Sequence, residues 1–158
     1  MYRAIIGAVA RRRYSAGLAA LERGDLDVFL EYFNDDLEFV FSGESPLGAN
    51  LHSKRALRLW CERFHRLLPS PRFEIQNVVA EGWPWNLTMA IRASIRSTVL
   101  GEPYRNEFGQ FLRLRNMKVA EDFVIEDTQR FERLCRRLLD AGIAEAGADP
   151  ITDSSDSK

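Results

Sequence analysis

Two carboxylates four residues apart, Asp122 and Glu126, stand in an alternating stretch from Lys118 to Glu126 (KVAEDFVIE). Side chains on a strand repeat direction every second residue. Asp122, Val124 and Glu126 therefore share one face, opposite Val119, Glu121, Phe123 and Ile125. Carboxyls enclosed in an apolar cavity hold their protons more tightly than in water. Such a group can move a proton at a carbon beside a carbonyl. Asp122 and Glu126 are the catalytic candidates on this ground. In the preceding stretch Tyr104, Asn106, Phe108, Gln110 and Leu112 share a face, combining hydrogen-bonding groups and an aromatic wall without a strong nucleophile. Tyr104 or Asn106 would donate to the developing oxyanion. The structural alternatives are a wet sheet rim for Asp122 and a cross-strand pair of Glu126 with Arg92 or Arg96.

Other residues are candidates for lining the same pocket. His52 precedes a helix cap and could project toward the pocket mouth, whereas His65, beside the core position Phe64, reads as exposed. Tyr14 on the first helix could send its hydroxyl across the cavity, with a plain helix–sheet contact as the alternative. Trp60 lies on an apolar helix face, as core or as ligand wall. Trp83 and Trp85 flank Pro84 in EGWPWN, where they could close one end of the cavity or pack against another surface. No H-E-x-x-H spacing or cysteine pair specifies zinc, and glycine-rich phosphate loops, nucleotide fingerprints and G-x-S-x-G are absent. No metal and no cofactor are expected. Cys61 and Cys135 each fall in helical apolar patterns and read as buried thiols.

These groups need a scaffold, and the hydropathy pattern supplies one. A first helix runs from about Tyr2 to Leu21, with Ile5, Ile6, Val9, Ala16 and Ala20 approximating its apolar face. It stops near Gly24. Asp25 caps a short second helix containing Leu26, Phe29, Leu30 and Phe33. Leu37 to Phe41 reads as a strand, and SGESPLGAN as an ordered turn or loop. Ser53 caps a third helix with Leu57, Trp60, Cys61, Phe64 and Leu68 on one side, ended by Pro69 and Pro71. Four extended stretches follow, Arg72 to Glu81, Trp85 to Leu100, Tyr104 to Arg115 and Lys118 to Glu126. The short breaks around Gly101 and Asn116-Met117 predict an antiparallel meander. Asp127 or Thr128 caps a terminal helix with Phe131, Leu134, Cys135, Leu138 and Leu139. The architecture expected is α+β, with N-terminal helices packed against a curved antiparallel sheet and a C-terminal helix. Residues 1–142 are expected to form one domain. Residues 143–158, poor in large apolar groups, are expected to be disordered.

With 22 basic and 23 acidic side chains among 158 residues, the chain has no net field to gather nucleic acid, and no nucleic-acid partner is expected. The Arg11-Arg12-Arg13 run reads as solvated. No apolar run approaches the ~18 residues a membrane span requires, so no membrane partner is expected and the location predicted is cytoplasmic.

The segments LERGDLDVFLEYFNDDLEFVFSGESPLG, SKRALRLW and GEPYRNEFGQFLRLRNMKVAEDFVIEDTQ carry a family resemblance covering roughly Ala16 to Phe131. In the order helix, helix, strand, helix and four strands, the chain resembles the SnoaL-like branch of the NTF2-like, ketosteroid-isomerase-like superfamily. The resemblance implies a cone-shaped fold around a pocket and members that include isomerases and polyketide cyclases. In the cyclases a histidine and an aspartate serve aldol ring closure. The carried-over pattern puts Val124 at the aspartate position, with Asp122 and Glu126 at the neighbouring inward positions. It also implies a homodimer through the outer sheet face, where Phe111, Phe123 and Ile125 would lie. The function expected is cofactor-free proton transfer on a small carbonyl compound, neutral or weakly anionic. The alternatives are a noncatalytic small-molecule binder and a structural dimeric domain.

Overall fold

The computed structural model describes residues 2–155. The order of elements is α1 (Tyr2–Arg23), α2 (Leu26–Glu31), β1 (Phe33–Phe41), β2 (Ala49–Leu51), α3 (Lys54–Leu67), β3 (Arg72–Trp83), β4 (Asn86–Val99), β5 (Glu102–Arg115), β6 (Lys118–Glu126) and α4 (Thr128–Asp140). A short 3₁₀ turn, Ala144–Gly147, follows.

Local chemistry sets the helix ends. Gly24 takes φ +71°, its N–H donates to Leu21 O, and the Asp25 N–H reaches back to Ala20 O. That pairing closes α1 with a left-handed residue that glycine adopts without steric cost. Asp25, Ser53 and Asp127 accept from the backbone N–H groups of Val28, Ala56 and Arg130, capping α2, α3 and α4 as expected.

The sheet has six strands in the order β2-β1-β6-β5-β4-β3. β3 to β6 form the expected antiparallel meander. Its β4–β5 and β5–β6 turns are two-residue connections with both residues at positive φ, Leu100-Gly101 and Asn116-Met117. The sheet as a whole is mixed, which corrects the all-antiparallel expectation: β1 runs parallel to β6, with Phe39 opposite Asp122 and Phe41 opposite Val124. Short breaks reveal hairpins, but pairing between strands some 80 residues apart is decided by packing. Within the loop after β1, Ala49–Leu51 adds an antiparallel edge strand.

Further expectations change. Between Arg113/Leu114 and Glu121/Val119 the register slips, leaving Ala120 as an extra residue in β6. This bulge turns Val119 onto the Asp122 face, opposite to plain alternation. On α1 the inward residues are Ile6, Ala10, Gly17, Ala20 and Leu21, while Ile5, Val9 and Ala16 are exposed.

The segment after Gly142, expected to be disordered, is packed through residue 155. Ala146 and Ile151 enter the core, and Ile151 bridges to Ala49. Glu145 accepts two hydrogen bonds from Arg66, and the Asp153 carboxylate accepts from the His52 N–H and the Ser53 hydroxyl. Two seated apolar side chains and these polar anchors offset the ordering entropy that composition alone suggested would win. The remainder of that expectation, residues 156–158, lies outside the described residues.

The core comprises two clusters. One joins α2, α3, α4 and β1 to the ends of β4 and β6; the other lies between α1 and the β3–β5 sheet. Phe108 and Val119 pack against both, and the internal cavity opens along that junction. Cys61 and Cys135 are buried free thiols. On the outer sheet face Phe111, Phe123 and Ile125 are exposed, with the two rings 6.5 Å apart. No helix among the described residues is long and apolar enough to cross a membrane.

Candidate functional site

The cavity measures about 110 Å³ and is walled mainly by apolar side chains of α1, α2, α3 and the sheet. Phe29, Phe33, Phe39, Phe41, Trp60, Phe64, Phe73 and Phe108 supply its aromatic surface. Trp60 serves both readings: its ring stacks on Phe64 while its indole N–H donates to Leu47 O at 2.7 Å. Against this wall stand a few polar side chains, Arg13, Tyr14, Gln110, Asp122 and Glu126, together with Tyr32.

Asp122 is 4% exposed. Its strand neighbour on the same face, Gln110 of β5, donates from Nε2 to both carboxylate oxygens, at 2.7 and 2.8 Å. The Tyr14 hydroxyl donates to Gln110 Oε1 at 2.7 Å, holding the amide so that its NH₂ faces Asp122. Burial pushes the Asp122 pKa up to about 7, and the Gln110 hydrogen bond opposes the rise. Burial also raises Tyr14, with the charge of Asp122 adding to the effect, so the phenol stays a donor. The wet rim considered for Asp122 is not observed.

Glu126 lies about 13 Å farther along the same face of β6. Its Oε2 accepts from Asn106 Nδ2 at 3.0 Å, and its buried Oε1 has no hydrogen-bond partner among the described residues. Burial pushes this carboxyl up to about 8, Asn106 opposing the rise. Arg92 and Arg96 pair instead with Glu107 and Glu74, so the structural alternative for Glu126 is not observed.

Several expected site residues are placed elsewhere. Asn106 is fully buried behind Glu126, its Nδ2 also donating to Asp127 O and its Oδ1 accepting from the Glu107 N–H. It is therefore committed and does not face the cavity as an oxyanion donor. Tyr104 is buried outside the cavity lining, and its pKa is raised by burial first and Glu126 second. His52 sits at the surface, its ring Nδ1 3.1 Å from Asp153 Oδ2, and does not reach the cavity. The packed tail holds it there. Trp83 and Trp85 stack on each other at the β3–β4 turn, 5.6 Å apart, and are exposed instead of closing the cavity. His65, expected to be exposed, is half-buried with its ring edge against Phe64.

Arg13 was missed as a lining residue because it closes a run of three arginines. Its guanidinium lies 5.3 Å over the Tyr32 ring, and Nε donates to Met117 O at 3.2 Å. The signal was nonetheless present. Ala10, Arg13, Tyr14, Gly17, Leu18 and Leu21 recur at helical spacing and together line the cavity. No group of three or more metal-ligating side chains occurs among the described residues.

Comparison with known proteins accords with this architecture. The sequence profile of the SnoaL-like domain matches residues 12–122. Among solved structures, PrhC from Penicillium brasilianum is 19% identical, with 87% of this chain and 95% of that one covered and a TM-score of 0.71. AclR, a putative hydroxylase from Streptomyces galilaeus, is 17% identical, with 82% and 98% covered and a TM-score of 0.64. A putative polyketide cyclase from Bacillus cereus is 15% identical, with 73% and 72% covered and a TM-score of 0.59. At such identities the likeness is one of fold. No curated protein sequence matches.

Proposed function

Because the chain belongs to the SnoaL-like family of the NTF2-like superfamily, we propose that it is a cofactor-free proton-transfer enzyme, an isomerase or cyclase, acting on a small cyclic or aromatic carbonyl compound. The observation that carries this reading is the Asp122 carboxyl, buried in an aromatic cavity wall with the Gln110 amide as its hydrogen-bond partner. A carboxyl with a pKa near 7 is present in both protonation states at neutral pH, which suits a general base that must also give its proton back.

In this mechanism the ionised Asp122 takes a proton from the carbon beside the substrate carbonyl. The C–H electrons move into the carbon framework as an enolate, and the protonated Asp122 returns the proton to another carbon in an isomerase. In a cyclase the enolate carbon instead attacks a second carbonyl. Tyr14 and Gln110 act as positioning residues: they orient the carboxylate without touching the reacting carbon. Glu126, protonated at neutral pH, donates from its unpartnered Oε1 to an oxygen at the far end of the substrate. The surrounding aromatic wall excludes water that would reprotonate the enolate.

The test is α-proton exchange. With β-tetralone in deuterated buffer, NMR should detect exchange above the buffer rate, and Asp122→Asn should lower it on the order of a hundredfold or more. Equal exchange in both proteins, or none above buffer, refutes the enzyme reading. A binding-only role has one observation in its favour, that Gln110 occupies both Asp122 oxygens. It predicts saturable β-tetralone binding with no exchange. The same reading includes a cytoplasmic homodimer formed through the face bearing Phe111, Phe123 and Ile125.

A further inference from the structure

The charge inventory of the cavity is unbalanced. Two carboxyls line it, and burial has driven both toward their neutral forms. One cation lines it, Arg13. The proton affinity of Asp122 is governed by burial and then by Gln110, and that of Glu126 by burial, Asn106 and Asp127. Neither carboxyl spends its charge on the guanidinium. Among the described residues Arg13 forms no ion pair, whereas arginines elsewhere on the surface, such as Arg66, Arg92 and Arg96, each meet a carboxylate.

Arg13 is also held in place. Nε is tied to the carbonyl of Met117 in the β5–β6 turn, and the plane lies over Tyr32. A guanidinium fixed through Nε keeps its terminal NH₂ groups as a fork, the geometry that matches a carboxylate by two parallel hydrogen bonds. Arg13 adjoins Tyr14 on α1, so the fork and the Tyr14–Gln110–Asp122 chain are carried by the same turn of helix.

We infer that Arg13 is a specificity residue that anchors an anionic group of the ligand, so that the compounds this cavity takes are monoanionic cyclic or aromatic acids. The inference rests on the cavity being the substrate site, as proposed above, and narrows its substrate class. The acid group sits at the Arg13 fork and the ring body fills the aromatic wall. The carbon that exchanges its proton faces Asp122.

β-Naphthoate and its methyl ester share a ring and differ in charge, and isothermal titration calorimetry on the full chain compares them. The wild type should bind the acid about tenfold or more tightly than the ester. Arg13→Gln should erase that preference while leaving the ester's affinity within about twofold, and Arg13→Lys, which keeps the charge but loses the fork, should fall between. Three results overturn the inference: acid binding undiminished in Arg13→Gln, acid and ester weakened in parallel, or no acid binding by the wild type at millimolar concentration. A parallel loss would mark Arg13 as packing for Tyr32. The neutral β-tetralone exchange assay separates the two readings. Asp122-dependent exchange without an acid preference sinks only the Arg13 assignment, and an acid preference without exchange sinks only the enzyme reading.

Discussion

Asp122→Asn should invert its effect on stability across the neutral pH range. The carboxyl sits near 3.8 in an ordinary environment and near 7 in the fold. Between those values the native protein holds a proton at this site that the unfolded chain has released, so wild-type stability falls as pH rises. The contribution is complete below the unfolded value and is lost through the window ending near the folded one. Each pH step of one within the window removes about 1.4 kcal/mol, and the whole window about 4 kcal/mol. Asparagine does not titrate. It preserves size and offers Oδ1 to Gln110, but its own NH₂ enters an apolar wall without an acceptor, at a cost of about 1–3 kcal/mol. The variant should therefore be the less stable protein at about pH 4 and the more stable one at about pH 8, crossing between. Urea melts of both proteins at stepped pH and constant ionic strength measure the difference. Glu126 titrates in both and cancels. A difference that stays flat from about pH 4 to about pH 8 would refute the buried environment assigned to Asp122.

Other consequences are as direct. The exchange rate should rise with pH as Asp122 ionises near 7, and a rate that stays flat through neutral pH removes Asp122 from the mechanism as its base. Tyr14→Phe should cost about 1 kcal/mol of stability and slow exchange several-fold without changing ligand affinity, because it releases the Gln110 amide but leaves the cavity wall. Ile151→Ala should destabilise the fold by roughly 2–5 kcal/mol in urea melts; an effect near zero would mean that the C-terminal segment is not part of the core. Phe123→Glu should convert a dimeric mass in light scattering to a monomeric one, and a wild type that stays monomeric at every concentration rules the sheet-face dimer out.

Helix ends and hairpins were legible because they are written in contiguous residues. Asp25, Ser53 and Asp127 announce their helices, and Gly24 ends one, through bonds that span a few positions. The inward set Tyr104, Asn106, Gln110 and Asp122 followed from strict alternation. Alternation also misplaced Val119, since one extra residue at Ala120 reverses parity and nothing in KVAED marks where the bulge falls. The C-terminal segment defeated composition for a related reason. Its order depends on Ala49, Arg66 and His52, contributed by distant parts of the chain.

By itself, then, the sequence determined which residues could share a face, where the elements begin and end, and that two carboxyls would look the same way from β6. Tertiary structure decided which faces meet. It laid β6 parallel to β1, set Tyr14 on Gln110 and Gln110 on Asp122, spent Asn106 on Glu126, and left His52, Trp83 and Trp85 outside the cavity. The division has a physical cause. Capping and turn energies are local and additive along the chain, whereas a buried carboxyl's proton affinity and partners arise from desolvation by elements far apart in sequence, whose arrangement exists only once the whole core has packed.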